Sequence, residues 1–310
     1  MAHDQRVHFA APPALEPGGH IRLVAPASPF PRERFDAGVA CLRTRYRVSY
    51  SEGIFARDAY LAGSDARRAE ELRAALTEPG IDAVVSVRGG YGVTRLLDRI
   101  TPEDVRPRLL VGFSDVTALH ALFARASLRS LHAPMVTMLG AASEAGDTEP
   151  FERWVEAVEG KTTPRFAGLE GLAPGRAQGP LSGGNLTVLC ALLGTPFVPP
   201  LDGTILFLED TGEAPYRIDR MLTSMGQAGW FARVVAIALG RFTHCEPAQD
   251  GRTIEQVLEE RLASLGVPVV SGIPVGHCEP NLPLAIGAPS TIDGDAGLLE
   301  QREGAVLARR

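Results

Sequence analysis

The chain has 310 residues, is 45% apolar and carries a net charge of −6, which is enough length for two domains and enough apolar material for a sizeable core. That balance contains no basic footprint for nucleic acid, and no stretch reaches the roughly 18 consecutive apolar residues that a membrane helix needs, so neither partner is expected. The opening "MAHDQRVHFAAPPALEPGGH" lacks the basic start and apolar run of a leader, and Cys41, Cys190, Cys245 and Cys278 fall in no CxxC spacing, so reduced thiols in a cytoplasm are the expectation.

In chain order, "HIRLVAPAS" reads as a strand breaking at Pro26, and "DARRAEELRAALTEPG" as an amphipathic helix with Asp65 at its cap and Gly80 past its end. A buried strand follows in "IDAVVSVRGGYG", then a brief helix in "VTRLLDRI". "RLLVG" reads as another strand, "DVTALHALFARA" as a helix and "SLHAPMVTML" as a strand, with a helix from Glu149 to Glu159. Strands alternating with helices predict an α/β domain, a parallel sheet covered on both faces.

Glycine, proline and threonine concentrate in "GKTTPRFAGLEGLAPGRAQG", residues 160–179. A linker is predicted there, dividing an N-terminal domain at 1–165 from a C-terminal one at 166–310. Beyond it come a glycine turn and helix ("SGGNLTVLCALLG"), a strand ("TILFLED"), an amphipathic helix ("YRIDRMLTSMGQAG"), a strand ("VVAIALG") and a helix near Thr253–Leu265. Four short segments, "PVVSG", "LAIG", "STID" and "AVLA", complete a predicted smaller α+β domain with barrel-like β structure.

Certain chemistry is scarce. Lys161 is the only lysine in the sequence, and "VEAVEGKTT" around it has Val155 where a phosphate-cradling loop needs glycine, so it reads as a surface residue at a helix end. "HCEP" occurs at both His244–Pro247 and His277–Pro280. Neighbours on a strand point to opposite faces, and paired zinc-ligand spacings are missing, so no metal or other cofactor is expected.

Four places can carry chemistry. Ser114 and Asp115 stand where "RLLVG" hands over to a helix, beyond the carboxyl end of a strand where α/β ligands gather. A serine there is either a helix cap or a nucleophile at an elbow, although G-F-S-D lacks the second glycine of G-x-S-x-G. Gly89 and Gly90 in "VRGGYG" make a tight turn or bring backbone N–H groups, together with that of Asp115, to an oxyanion; Arg95 spoils a dinucleotide fingerprint. Glu209 closes the "TILFLED" strand and could orient a histidine. His277 follows a glycine on a strand-like segment, while His120 lies six residues along the helix from Ser114, pointing elsewhere, and His132 and His244 remain open. Arg88 could hold a substrate carboxylate.

The ordered series "VAPASP", "RGGYG", "VGFSD", "LHAPM", "SGGNL", "FLEDTGEAPYRIDR" and "GIPVGH" resembles the LD-carboxypeptidases, serine peptidases of the muropeptide-recycling and microcin-immunity group, from about Ile21 to Ile292. The resemblance implies Ser114 as nucleophile, Glu209 as its carboxylate and His277 as its base. It further implies a flavodoxin-like or amidotransferase-like N-terminal domain, a β-rich C-terminal one, a site between them and often a homodimer. The implied reaction releases terminal D-Ala from a cytoplasmic murein tetrapeptide, and the alternatives are a microcin-type hydrolase of peptidyl-nucleotide amides or a non-catalytic muropeptide-binding module. Ala27, where many relatives carry serine, and Cys278 with Glu279 depart from the pattern without touching the three mapped positions.

Overall fold

The computed structural model describes residues 8–247 and 251–307. β1 (His20–Val24), β2 (Arg47–Ser49), β3 (Ala83–Ser86), β4 (Leu109–Gly112) and β5 (Ser130–His132) run parallel in the order β2-β1-β3-β4-β5. Successive side chains on a strand face opposite ways, and here both faces are apolar, so both need cover. α1 (Arg32–Arg43), α2 (Asp65–Thr77), α3 (Thr117–Arg125), α4 (Val136–Glu144) and α5 (Glu149–Val158) supply it. Leu23, Val85 and Val111 pack with Phe35 and Leu42 of α1, Val136 of α4 and Trp154 of α5. On the other face Val24, Val84 and Leu110 meet Leu72 of α2 and Leu119 and Phe123 of α3.

The second sheet takes β6 (Arg165–Ala167), β7 (Glu170–Ala173), β8 (Arg176–Asn185), β9 (Ile205–Thr211), β10 (Ala236–Thr243) and β11 (Val269–Ser271). β12 (Leu284–Ile286) crosses back to pair antiparallel with β5 of the first sheet, and β13 (Pro289–Asp293) and β14 (Leu298–Gln301) return to the second. Its order is β6-β14-β13-β8-β9-β10-β11-β7. Only Gly168 and Leu169 separate the two edge strands in the chain, so the sheet must curl until its edges approach, which gives the expected barrel-like form. Leu181, Ile205, Phe207 and Ala238 fill its inside. Leu206, Leu208 and Leu239 face outward onto α6 (Leu186–Ala191), α7 (Pro215–Gln227) and α8 (Ile254–Leu262).

Several local expectations differ. Ser64, not Asp65, caps α2, its Oγ accepting the Arg67 N–H at 3.3 Å, while Asp65 pairs with Arg95 at 2.7 Å. "SLHAPMVTML" is extended only to His132; Pro134 interrupts it and α4 begins at Val136. The stretch 160–179 is not an open linker but holds β6, β7 and the start of β8, because short strands at a curled edge tolerate its glycines. "SGGN" is the end of β8 rather than a turn, with Gly183 and Gly184 at φ +128° and +147°. Among the described residues the last strand is β14, and Ala305 to Leu307 form no strand; Ala308 of the expected "AVLA" segment lies outside the described residues, as do residues 1–7 of the opening stretch.

Candidate active site

β4 stops at Gly112, and Ser114 turns the corner with φ +63°. An L-residue holds that left-handed conformation at a cost of about 1–2 kcal/mol, and a strained strand-to-helix corner lifts a hydroxyl clear of its backbone. The Oγ of Ser114 lies 3.1 Å from Nε2 of His277. Gly89 packs against it so closely that a Cβ there would stand 2.9 Å from the Ser114 Cβ and 3.0 Å from its Oγ, so only glycine lets this loop reach the hydroxyl.

Asp115 does something the sequence did not disclose. It is buried, and its Oδ2 accepts the Val93 N–H at 2.9 Å, tying the "RGGYG" loop to the serine corner. Burial pushes its carboxyl up to about 6, against the Val93 N–H and Arg68, which pull it down. Ser28 supports the same loop from the "VAPAS" turn, its Oγ accepting the Tyr91 N–H at 3.2 Å.

Glu209 follows Ile205 and Phe207 at period two along β9 and so shares their inward face, fully buried. Its Oε2 accepts the Nδ1–H of His277 at 2.8 Å. Asp210, on the opposite face, accepts from Asn185 Nδ2 at 3.1 Å, from the Thr187 N–H at 2.9 Å and from Thr187 Oγ1 at 2.8 Å. Asn185 in turn caps α6, and its backbone N–H reaches Thr117 Oγ1 of α3 at 2.9 Å, joining the second sheet to the helix behind Ser114. The adjacent acids of "LED" thus divide between histidine and scaffold.

His277 sits in a loop after β11, where a strand-like segment was expected. Side chains hold this loop instead of a ladder: Asn281 Oδ1 accepts the Gly276 N–H at 3.0 Å, and Thr243 Oγ1 donates to the His277 carbonyl at 2.9 Å. Gly276, at φ +117°, presses on the carboxylate, and a Cβ there would stand 2.6 Å from Glu209 Oε2. Burial pulls the imidazole pKa down, but the Glu209 hydrogen bond and charge, with Asp210 adding to them, carry it above the ordinary 6.5. With Nδ1–H committed to Glu209, Nε2 is free to accept the Ser114 hydroxyl, the geometry by which a histidine activates a nucleophile.

Ser114 and His277 open on a cleft of about 1050 Å³, with Glu209 buried behind the histidine. Arg88, Gly89 and Gly90 line it beside Ser114 and His277, as do Met135 and Met138. Arg88, which lines the cleft, donates from Nη1 to the Pro29 carbonyl at 2.9 Å. The remaining candidates lie elsewhere or do other work. His120 is buried, with its ring nitrogens 2.7 Å from Ser130 Oγ and 2.9 Å from the Gly112 carbonyl oxygen. Lys161 pairs with buried Glu159 at 2.7 Å. Among the described residues no three His, Cys, Asp or Glu side chains gather in a way that could hold a metal, and no helix is long and apolar enough to cross a membrane.

Two family models match the chain: the LD-carboxypeptidase N-terminal domain over residues 21–133 and the LD-carboxypeptidase C-terminal domain over residues 178–292. The murein tetrapeptide carboxypeptidase of Pseudomonas aeruginosa is 33% identical over 89% of this chain and 94% of its own. A solved muramoyltetrapeptide carboxypeptidase from Oxalobacter formigenes superposes with TM-score 0.80 at 28% identity, covering 91% of this chain and 97% of that one. The microcin C7 self-immunity protein MccF, in its wild-type apo state, shares the fold with TM-score 0.85 at 22% identity, over 96% of this chain and 100% of its own.

Proposed function

The chain belongs to the LD-carboxypeptidase family, and we propose that it is a serine-type peptidase that removes the terminal D-Ala from murein tetrapeptides. The observation that carries this reading is the unbroken relay from Glu209 Oε2 through His277 to Ser114 Oγ, opening on one cleft.

In this reading the Ser114 hydroxyl gives its proton to His277 Nε2 as Oγ attacks the carbonyl of the L-centre that precedes the D-residue. The tetrahedral oxyanion is held by backbone N–H groups of Gly89, Gly90 and Asp115. His277, now an imidazolium stabilised by Glu209, delivers the proton to the leaving amine, and D-Ala departs. Water then repeats the sequence in reverse, with His277 again as base, and frees the tripeptide. Arg88 beside the serine takes the terminal carboxylate, so a substrate extended by one residue would leave that guanidinium facing a neutral amide, a mismatch worth orders of magnitude in selectivity. In this reading the substrate is a fragment of recycled cell wall and the reaction is cytoplasmic.

Product analysis by mass spectrometry tests this on three compounds: the tetrapeptide L-Ala-γ-D-Glu-meso-diaminopimelate-D-Ala, the pentapeptide ending D-Ala-D-Ala, and an aminoacyl-sulfamoyl adenosine. Release of D-Ala from the tetrapeptide with a nearly inert pentapeptide is expected. Hydrolysis of the nucleotide alone would move the protein to the microcin-type branch, and turnover of none of the three would favour a binding module.

A further inference from the structure

His132 ends β5, fully buried, and among the described residues neither of its ring nitrogens has a hydrogen-bond partner. A buried polar group left alone is costly, so a histidine set among the rings of Phe113, Phe207 and His120 needs a reason. Its ring centroid lies 5.3 Å from that of Phe113, whose ring stands 4.9 Å from that of His277. The same ring meets Phe207 edge-on at 5.4 Å. Phe207 and Glu209 project from one face of β9, two residues apart, so His132 and the Glu209 carboxylate border the same layer between the two sheets.

Glu209 has a complementary need. Its Oε2 is held by His277, but Oε1 is buried with no donor among the described residues, and a carboxylate oxygen in that position costs more than a neutral group would. We propose that His132 is a positioning residue for the triad, its neutral ring giving Glu209 Oε1 the hydrogen bond it lacks through one buried water. The inference rests on the triad reading above. It assigns a role to the histidine of "LHAPM" that touches neither substrate nor reacting atoms. With Oε1 anchored, the carboxylate cannot swing about its terminal bond, and Oε2 stays on Nδ1.

The surroundings agree with a neutral ring. Burial holds His132 well below the ordinary imidazole range, and the neighbouring imidazoles of His120 from α3 and His277 from the loop push the same way. His277 itself feels Glu209 and Asp210 from β9. Asn281 Nδ2 is a rival donor, since it too is buried and unpartnered while its Oδ1 holds Gly276.

Proton and ¹⁵N NMR of the intact protein test the assignment without needing turnover. In the wild type the His132 ring should show one neutral tautomer from pH 5 to 8; a mixture of tautomers, or a ring that titrates there, would overturn the proposal. His132→Phe keeps the ring shape and removes the donor, so it should move the low-field resonance of the His277 Nδ1 proton. The acid limb of kcat/KM should rise by roughly half a unit or more, because a less solvated carboxylate holds the imidazolium more tightly, and kcat should fall about tenfold with KM little changed. His132→Asn and His132→Gln put an amide nitrogen near the Nδ1 and Nε2 positions, and one of the two should keep the resonance at its wild-type position while the other moves it, a comparison that holds even if the phenylalanine variant does not fold. A resonance and limb unchanged in every His132 variant, or moved only by Asn281→Asp, would show that His132 is not the donor. If the tetrapeptide proves not to be a substrate, the resonance still decides the question.

Discussion

Gly276→Ala disturbs the site without altering any group of the triad. The new Cβ would stand 2.6 Å from Glu209 Oε2, where ordinary contact begins at 3.4 Å. Something must therefore yield by about 0.8 Å, and if the carboxylate takes up the shift its 2.8 Å bond to His277 opens to about 3.6 Å, which is no longer a hydrogen bond. An alanine at φ +117° adds backbone strain of about 1–3 kcal/mol in the same loop. Misplacement on this scale costs about 10²-fold in kcat, with the roughly 10⁴-fold loss expected when the orienting carboxylate is removed as its ceiling. The assay is D-Ala release under saturating tetrapeptide, alongside urea unfolding to show that the variant folds. KM should change little, and in a Glu209→Gln background the same alanine should add almost nothing. A folded Gly276→Ala protein with kcat within twofold of wild type would refute the coupling of this loop to the carboxylate.

The remaining predictions concern pH and strain. His277 must be neutral to act as base, and its pKa is raised above 6.5, so kcat/KM should climb with pH along a limb lying above 6.5. Glu209→Gln removes the raising interaction and leaves burial in charge, so the limb should move down while kcat falls; a limb that stays put would mean another group sets it. Asp115 keeps its proton to about pH 6 when folded, against an ordinary 3.8, so its contribution is full below about 3.8 and is lost as pH rises through about 6. Asp115→Asn should be more stable than wild type at pH 8 by up to about 3 kcal/mol and no more stable at pH 4, as read from urea midpoints; a gap independent of pH would contradict this. Ser114 at φ +63° predicts that Ser114→Gly is more stable than Ser114→Ala by about 1 kcal/mol, both being inactive, whereas equal midpoints would mean the corner is unstrained.

Apolar runs ending in polar residues made much of the site legible in the sequence. "RLLVG" and "TILFLED" are buried strands whose carboxyl ends carry Ser114 and Glu209, and burial on both faces follows from their composition alone. What stayed hidden depends on contacts remote in the chain. The positive φ of Ser114 leaves no trace in G-F-S-D, and Asp115 looked like a source of a backbone N–H while its carboxylate was anchoring Val93. Asp210 and Asn185 meet across two strands through side chains that periodicity cannot pair. His277 belongs to a loop shaped by Asn281 and Thr243, so a strand was read where side-chain hydrogen bonds replace the ladder. β12 returning to the first sheet was equally out of reach, because "LAIG" suits an edge strand of either sheet.

The central claim is that Ser114 is a nucleophile activated by His277, and covalent labelling tests it most directly. A small serine-directed phosphonate should add once to the native protein, and peptide mapping should locate the adduct on Ser114, with labelling slowed by orders of magnitude in His277→Ala. An adduct on another residue, or a protein that releases D-Ala from the tetrapeptide as well after Ser114→Ala as before it, would contradict the account.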